Sequence, residues 1–242
     1  PAVGRLLLWV PEAVTSNTGI SGIYPVGTWE WYDTRLRQRV SGESTIGPGN
    51  FLKVDEGTFE CAGIRMPADG PVEWTATIVA HECAVDFCIR LTNGGEQTLH
   101  KAGGAVCLRF LDAPWWSDEN TYVLSSGRMA SLASLERNAG QSNGFQAYLI
   151  GDQSYDHVFY REFWGFNRRR LDEPFMISEN GQEKVCTGIQ ADRAYFLHSN
   201  RGNPCTDLML SFGDVAPKAS SQAEGRVWIK RGRAADVIKE MA

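Results

Sequence analysis

His198, Asn200 and Arg201 stand almost side by side in ADRAYFLHSNRGNPC, residues 191–205, where an extended run passes into a polar, turn-rich loop. An imidazole exchanges its proton near neutral pH. With an amide, a guanidinium and the nearby Asp207, it could hold a hydroxylated ligand or act as a base. Alternation along a strand sets Tyr195 and Leu197 on one face and Phe196 and His198 on the other. The bland alternative is a histidine satisfied locally at a strand end.

A second constellation lies in SYDHVFYREFWGFNRRR, residues 154–170. His157 and Arg161 share one face of an extended strand, and Tyr160 and Glu162 share the other. His157, Tyr160 and Arg161 in one cleft would suit β-elimination from an acidic polysaccharide, the arginine neutralising a uronate while histidine or tyrosine moves the proton. That grouping requires a bulge to bring Tyr160 round to the His157 side. An exposed polar edge followed by a basic loop is the competing explanation.

Aromatic residues point towards sugars. Trp115 and Trp116 fall in DAPWWSDEN, followed by Asp118 and Glu119, and Trp29 and Trp31 share a strand face in GTWEWYD. Flat rings offer an apolar surface to sugar C–H groups while neighbouring acids and amides take the hydroxyls; alternatively, the tryptophans plug one end of the core. The pattern Cys-x-Arg recurs at 88–90 and 107–109. If these segments pair as one hairpin, Asp86, Arg90 and Arg109 line a common face able to hold carboxylates or hydroxyls.

Other chemistries have little support. The four histidines show no HxH, HxxxH or HExxH spacing and the six cysteines no CxxC, so the expectation is no metal and no cofactor, although residues distant in sequence could converge. The one GxSxG match, Gly140–Gly144, precedes a strand rather than a helix, which is wrong for a nucleophile elbow. No phosphate-binding glycine loop or EF-hand appears. With 24 Lys+Arg against 29 Asp+Glu, the formal charge is −5, which argues against a nucleic-acid surface. The apolar run Leu6–Val10 is too short to span a bilayer and lacks the flanks of a signal peptide. The even number of cysteines is compatible with three bridges or with buried thiols.

These residues need a scaffold, and the hydrophobic period is mostly two. VEWTATIVA (72–80) and VDFCIRLTN (85–93), separated by a turn at His81–Glu82, read as strands, and the NGGEQ turn leads to AVCLRFL (105–111). Further strands are expected at 24–32, 51–54, 57–66, 121–124, 145–150, 157–164, 184–190, 193–198, 207–212 and 225–230. Helix is expected only around 129–137 and in the terminal AADVIKEMA. The pattern implies an all-β chain: one antiparallel β-sandwich domain over residues 1–242 with a short C-terminal helix.

Residues 184–232, KVCTGIQADRAYFLHSNRGNPCTDLMLSFGDVAPKASSQAEGRVWIKRG, with VDFCIRLTNGGEQTL and GGAVCLRFLDAPWW upstream, resemble uncharacterised β-sandwich proteins of polysaccharide-degrading, planctomycete-like bacteria. That group often carries histidine where this chain has Asp207. The sandwich also resembles galactose-mutarotase-like folds attached to glycan-active enzymes. The resemblance implies a carbohydrate ligand and a secreted or periplasmic setting, and no particular reaction. The working expectation is a carbohydrate-active protein, cleaving a polysaccharide as lyase or hydrolase. The site would comprise His198, Asn200 and Arg201 with Trp115, Trp116 and Asp118, and His157, Tyr160 and Arg161 are the second choice. A non-catalytic binding module and a structural or assembly domain are the rivals, and the oligomeric state stays open.

Overall fold

A computed structural model of the protein describes residues 5–16, 19–23, 28–33, 38–43, 52–65, 70–136, 145–155, 165–202 and 204–241. Its strands are β1 (Arg5–Ser16), β2 (Gly19–Ile23), β3 (Thr28–Asp33), β4 (Gln38–Glu43), β5 (Leu52–Asp55), β6 (Thr58–Arg65), β7 (Val72–Ala80), β8 (Ala84–Asn93) and β9 (Leu99–Leu111). They continue as β10 (Thr121–Ser125), β11 (Arg128–Ser131), β12 (Phe145–Leu149), β13 (Phe175–Asn180), β14 (Val185–Ala191), β15 (Ala194–Asn200), β16 (Cys205–Val215) and β17 (Ser220–Arg231). Among the described residues the one α-helix is α1 (Ala234–Met241). Among the described residues no helix is long and apolar enough to cross a membrane.

The strands form two antiparallel sheets of a sandwich. The first has the order β12-β15-β16-β9-β1-β2-β3-β4 and the second β11-β10-β13-β14-β17-β8-β7-β6-β5. Alternation explains the second sheet. Val72, Trp74 and Ala76 of β7 and Phe87, Ile89 and Leu91 of β8 are buried, while Glu73, Thr75 and Arg90 are exposed. Across the core they join Val106, Leu108 and Phe110 of β9 and Leu208, Leu210 and Phe212 of β16 in one apolar cluster. Each buried Val, Leu, Ile or Phe among them stabilises the fold by about 1.5–3 kcal/mol.

The first sheet is different. Ala102–Leu108 of β9, Ala194–Ser199 of β15 and Cys205–Phe212 of β16 are buried without alternation, so something covers their outer face as well. A second cluster provides part of that cover: Phe145, Ala147, Tyr155, Tyr195, Phe196 and Met209, with Phe166 packed against it. Tyr195 reaches this side because the register of β15 against β16 shifts between Ala194 and Phe196.

Helix α1 forms as its composition suggests and covers part of the second sheet's outer face. Val237 and Ile238 pack with Phe175, Ile177 and Trp228. The carboxylate of Glu179 accepts the Ala234 N–H at 2.8 Å and pairs with Arg233 at 2.9 Å, satisfying the first turn.

Several expectations need correction. Helix over 129–137 is replaced by strand β11, paired with β10, followed by a single 3-10 turn at Leu132–Ser134. The pairing of Val123 with Ala130 and Leu124 with Met129, and the burial of Leu132, outweigh the local helix propensity. Strands β1, β2, β4, β11 and β13 are not among the expected strands, and the expected strand 157–164 lies outside the described residues.

The largest correction concerns β8 and β9. They are not a hairpin: β8 belongs to the second sheet and β9 to the first. Asn93, 1% exposed, secures the crossing. Its Nδ2 donates to the carbonyls of Gln97 (2.8 Å) and Val215 (2.9 Å), and its Oδ1 accepts the Gly95 N–H at 3.0 Å. Gly94 is required beside it, because a Cβ there would lie 2.7 Å from the Pro71 ring. Replacing Asn93 with Ala strands the buried Val215 carbonyl and Gly95 N–H and the partly buried Gln97 carbonyl. The expected loss is about 2–3 kcal/mol, read as a lower urea midpoint with an unchanged slope.

Candidate functional site

The outer face of the first sheet is organised in rows. Where strands pair, side chains opposite one another leave the same face. One row runs Leu149–Phe196–Met209–Ala105–Ala13 across β12, β15, β16, β9 and β1, and it is apolar. The next runs Ala147–His198–Asp207–Cys107–Trp9, and the one beyond it Phe145–Asn200–Cys205–Arg109–Leu7. Histidine, aspartate, both cysteines, asparagine and arginine thus meet in two adjacent rows.

Strand β1 adds a carboxyl. Its register against β9 jumps from Trp9↔Cys107 to Ala13↔Ala105, so four steps on β1 match two on β9. The irregular segment between the two pairs carries Glu12, which interacts electrostatically with Asp207, His198 and Arg109. A bulge of this kind redirects a side chain that regular pairing would send elsewhere.

At the centre, His198 Nε2 donates to Asp207 Oδ2, and the Cys205 thiol donates to the same oxygen at 3.0 Å. Cys107 contacts Cys205. The donor atoms of Cys107, Cys205 and Asp207 all lie within 4.8 Å of one another. Asp207 is 2% exposed, and its Oδ1 has no hydrogen-bond partner among the described residues. The Phe145 ring lies over His198 with centroids 4.4 Å apart, and the Tyr155 hydroxyl donates to Thr15 at 2.8 Å beside the apolar row. Solvent reaches the cluster at its half-buried rim, which includes Glu12, Arg109 and Asn200.

Burial and charge act against each other here. Burial alone would lower the His198 pKa, but the charge and hydrogen bond of Asp207 outweigh it and raise the group to about 10. Burial, followed by the negative charge of Asp207, lifts Glu12 to about 7 against the opposing pull of His198 and Arg109. The Cys107 thiol is pushed up by its contact with Cys205, by burial and by the carboxylates nearby. All six cysteines are thiols.

The expected site residues are distributed differently from their grouping in the sequence. His198, Asn200 and Arg109 stand in the two polar rows. Arg201 turns away to pair with Asp118, which is 1% exposed, at 2.8 Å. Trp116 is a core residue, stacked on Phe110 at 5.7 Å, and Trp115 meets the same ring edge-on at 5.8 Å. The pair closes an end of the core and offers no open stacking platform, because their hydrophobic area is better buried against Phe110 than left in water. His157, Tyr160 and Arg161 lie outside the described residues. Glu12, Cys107 and Cys205 were missed as site residues. Cys205-x-Asp207 and Cys107-x-Arg109 do carry a usable signal, since residues two apart on a strand share a face.

Arg90 does not share a surface with Arg109, because the whole core separates the outer faces of their two sheets. On the outer face of the second sheet a depression of about 470 Å³ is lined by Thr77, Asp86, Cys88, Gln190, Asp192 and Arg226, among others. Its principal charges are mutually satisfied. Arg226 makes two hydrogen bonds to Asp86, one of them 2.8 Å, and His81 makes another at 2.9 Å.

No protein-family model matches the chain, and no curated protein matches it. Among solved structures it is similar to an aldose epimerase homologue from C. elegans, 7% identical, over 96% of this chain and 83% of that one, with a TM-score of 0.49. A galactose mutarotase-like protein from Clostridium acetobutylicum is 10% identical over 96% of this chain and 80% of that one, with a TM-score of 0.47. Another, from Lactobacillus casei, is 7% identical over 90% of this chain and 99% of that one, with a TM-score of 0.41.

The hydrogen bond from Arg226 holds Asp86 below the usual carboxylate range despite partial burial, with His81 assisting. A carboxyl more acidic folded than unfolded contributes stability above its unfolded pKa, and that contribution disappears as pH falls through the folded value. Asp86→Asn should therefore flatten the acid limb of the stability profile. Urea midpoints taken from about pH 6 down to about pH 2 should converge for variant and parent at the acid end.

Proposed function

We propose that this protein is a carbohydrate-active enzyme that moves protons at the anomeric centre of a free sugar, with Glu12 as the proton-transfer group. The observation that carries this reading is the position of Glu12. It is a half-buried carboxyl issuing from the β1 bulge onto the face that holds the His198–Asp207 pair and Arg109.

Anomer interconversion needs one group to take the proton of the anomeric hydroxyl and a cationic environment for the ring oxygen. The Glu12 carboxylate takes the proton, C1 becomes a carbonyl carbon, and its bond to the ring oxygen breaks. The His198 imidazolium gives its proton to the ring oxygen, and Arg109 supplies positive charge beside it without giving up a proton. Rotation about C1–C2 and the reverse steps give the other anomer. Asn200 at the rim supplies an amide for a hydroxyl.

Polysaccharide cleavage fits less well. Hydrolysis needs two available carboxyls about 5–9.5 Å apart, and here Asp207 is committed to His198 and Cys205. Elimination needs one base and one cation, which the cluster has. A polymer also needs an open groove, whereas His198 and Asp207 are 7% and 2% exposed.

The test is the rate of anomer exchange across a panel of aldoses, followed by NMR, with a parallel mass-spectrometric screen of neutral and uronate polysaccharides. The expected result is accelerated exchange that falls about 10²–10⁴-fold in Glu12→Gln. Unsaturated oligosaccharides without faster exchange would transfer the cluster to elimination. Sugar binding with neither product nor exchange would make the protein a binding module.

A further inference from the structure

We propose that Cys107, Cys205, Asp207 and His198 form a binding site for one thiophilic divalent cation of the zinc class. The four come from three neighbouring strands and one face. His198 lies opposite Asp207 and Asp207 opposite Cys107, while Cys205 is two residues from Asp207 on β16. Three of the donor atoms fall within 4.8 Å of one another, and His198 Nε2 is already directed at the Asp207 carboxylate. Two sulfurs, one oxygen and one imidazole nitrogen are a donor set that suits tetrahedral zinc, whose bonds are about 2.3 Å to sulfur and 2.0–2.2 Å to nitrogen and oxygen.

Independently of that convergence, Asp207 Oδ1 is buried and has no hydrogen-bond partner among the described residues. An unpaired, buried carboxylate oxygen carries a high desolvation cost. A cation among these donors would remove it. Two thiols side by side, buried and unbridged, add soft sulfur ligands of the kind that select metals of this class. The spacing expected of a structural zinc motif is absent because the two cysteines sit on different strands, β9 and β16, and only sheet pairing brings them together.

Binding is a proton exchange with no redox step. The cation enters as the two thiols and the His198 imidazolium each release a proton to solvent. Two thiolates and one carboxylate then carry three negative charges against the two positive charges of the ion. Arg109, directly opposite Cys205, lies beside the remaining negative charge. Loading removes the proton that His198 gives to the ring oxygen, so anomer exchange belongs to the metal-free centre and is measured on the stripped chain. Glu12 is not a ligand and keeps its place at the rim. The inference does not rest on the sugar reading, since binding can be observed without substrate.

The experiment is a titration of the full chain, reduced and stripped with chelator, with Co²⁺ as probe and Zn²⁺ as competitor. Absorbance and bound metal are both measured. The expected result is one Co²⁺ per chain with a sulfur-to-cobalt charge-transfer band, displaced by Zn²⁺ and accompanied by proton release. Cys107→Ser and Cys205→Ser should each weaken binding by about 100-fold or more, while Cys83→Ser, at an exposed cysteine elsewhere, should bind as the parent does. Glu12→Gln should also keep the band while losing anomer exchange, so failure of one proposal is separable from failure of the other. A reduced parent chain that binds no Co²⁺ overturns the inference without recourse to variants. So does a charge-transfer band that survives in the double variant Cys107→Ser/Cys205→Ser.

Discussion

The arrangement of the candidate site depends on the commitment of the inner faces of β9, β15 and β16 to the core. Once Val106 and Leu108 of β9, Leu197 of β15 and Leu208 and Leu210 of β16 point inward, strand alternation leaves no choice for their neighbours. Cys107, Arg109, His198, Cys205 and Asp207 must leave by the other face, and antiparallel pairing aligns them in rows. A slip of one residue in any of these strands would send its polar groups into the core and expose its leucines. The apolar energy of the sandwich therefore holds the polar cluster in register. The cluster needs no strong interactions of its own to stay assembled.

That matters because the cluster is a poor stabiliser. A buried ion pair gives up the solvation of both partners, and its mutual attraction often does no more than compensate. Here Asp207 has one oxygen shared between imidazole and thiol and the other without a partner among the described residues, and a second carboxyl stands nearby. Replacing the group by well-packed hydrophobic residues would suit the fold as well or better. Costly polar groups held by an apolar frame, with the Glu12 carboxyl and the His198 imidazole both displaced upward from their ordinary pKa values, are characteristic of sites that act on something. The ion pairs of the second sheet, such as Asp86–Arg226, are by contrast more exposed and satisfy one another.

Much of the scaffold is visible in the amino-acid pattern wherever one face is wet. VEWTATIVA alternates cleanly, and β7 coincides with it from Val72 to Ala80. AADVIKEMA becomes α1 because its residue types favour helix and Val237 and Ile238 find an apolar surface. Strands buried on both faces lose the alternating signal, which is why FMISEN, now β13, passed unnoticed. Around 129–137 local propensity pointed to helix, and pairing with β10 overruled it for the first residues. His198 stood out by its type. Glu12 gave no sign, since its direction arises from a register jump that no spacing rule anticipates.

The sequence by itself determined the class of the fold, most strand positions on the wet sheet, the terminal helix, and the parity that puts Phe196 with His198 and Cys205 with Asp207. These are consequences of local geometry, in which side chains alternate regardless of which strand lies alongside. The tertiary structure alone decided that β8 and β9 part company at Asn93, separating Arg90 from Arg109 by the thickness of the core. It also decided that Cys107 meets Cys205 and that the β1 bulge delivers Glu12 to the same place. Those outcomes depend on which strands become neighbours, and neighbours are chosen by the burial of the whole apolar surface at once.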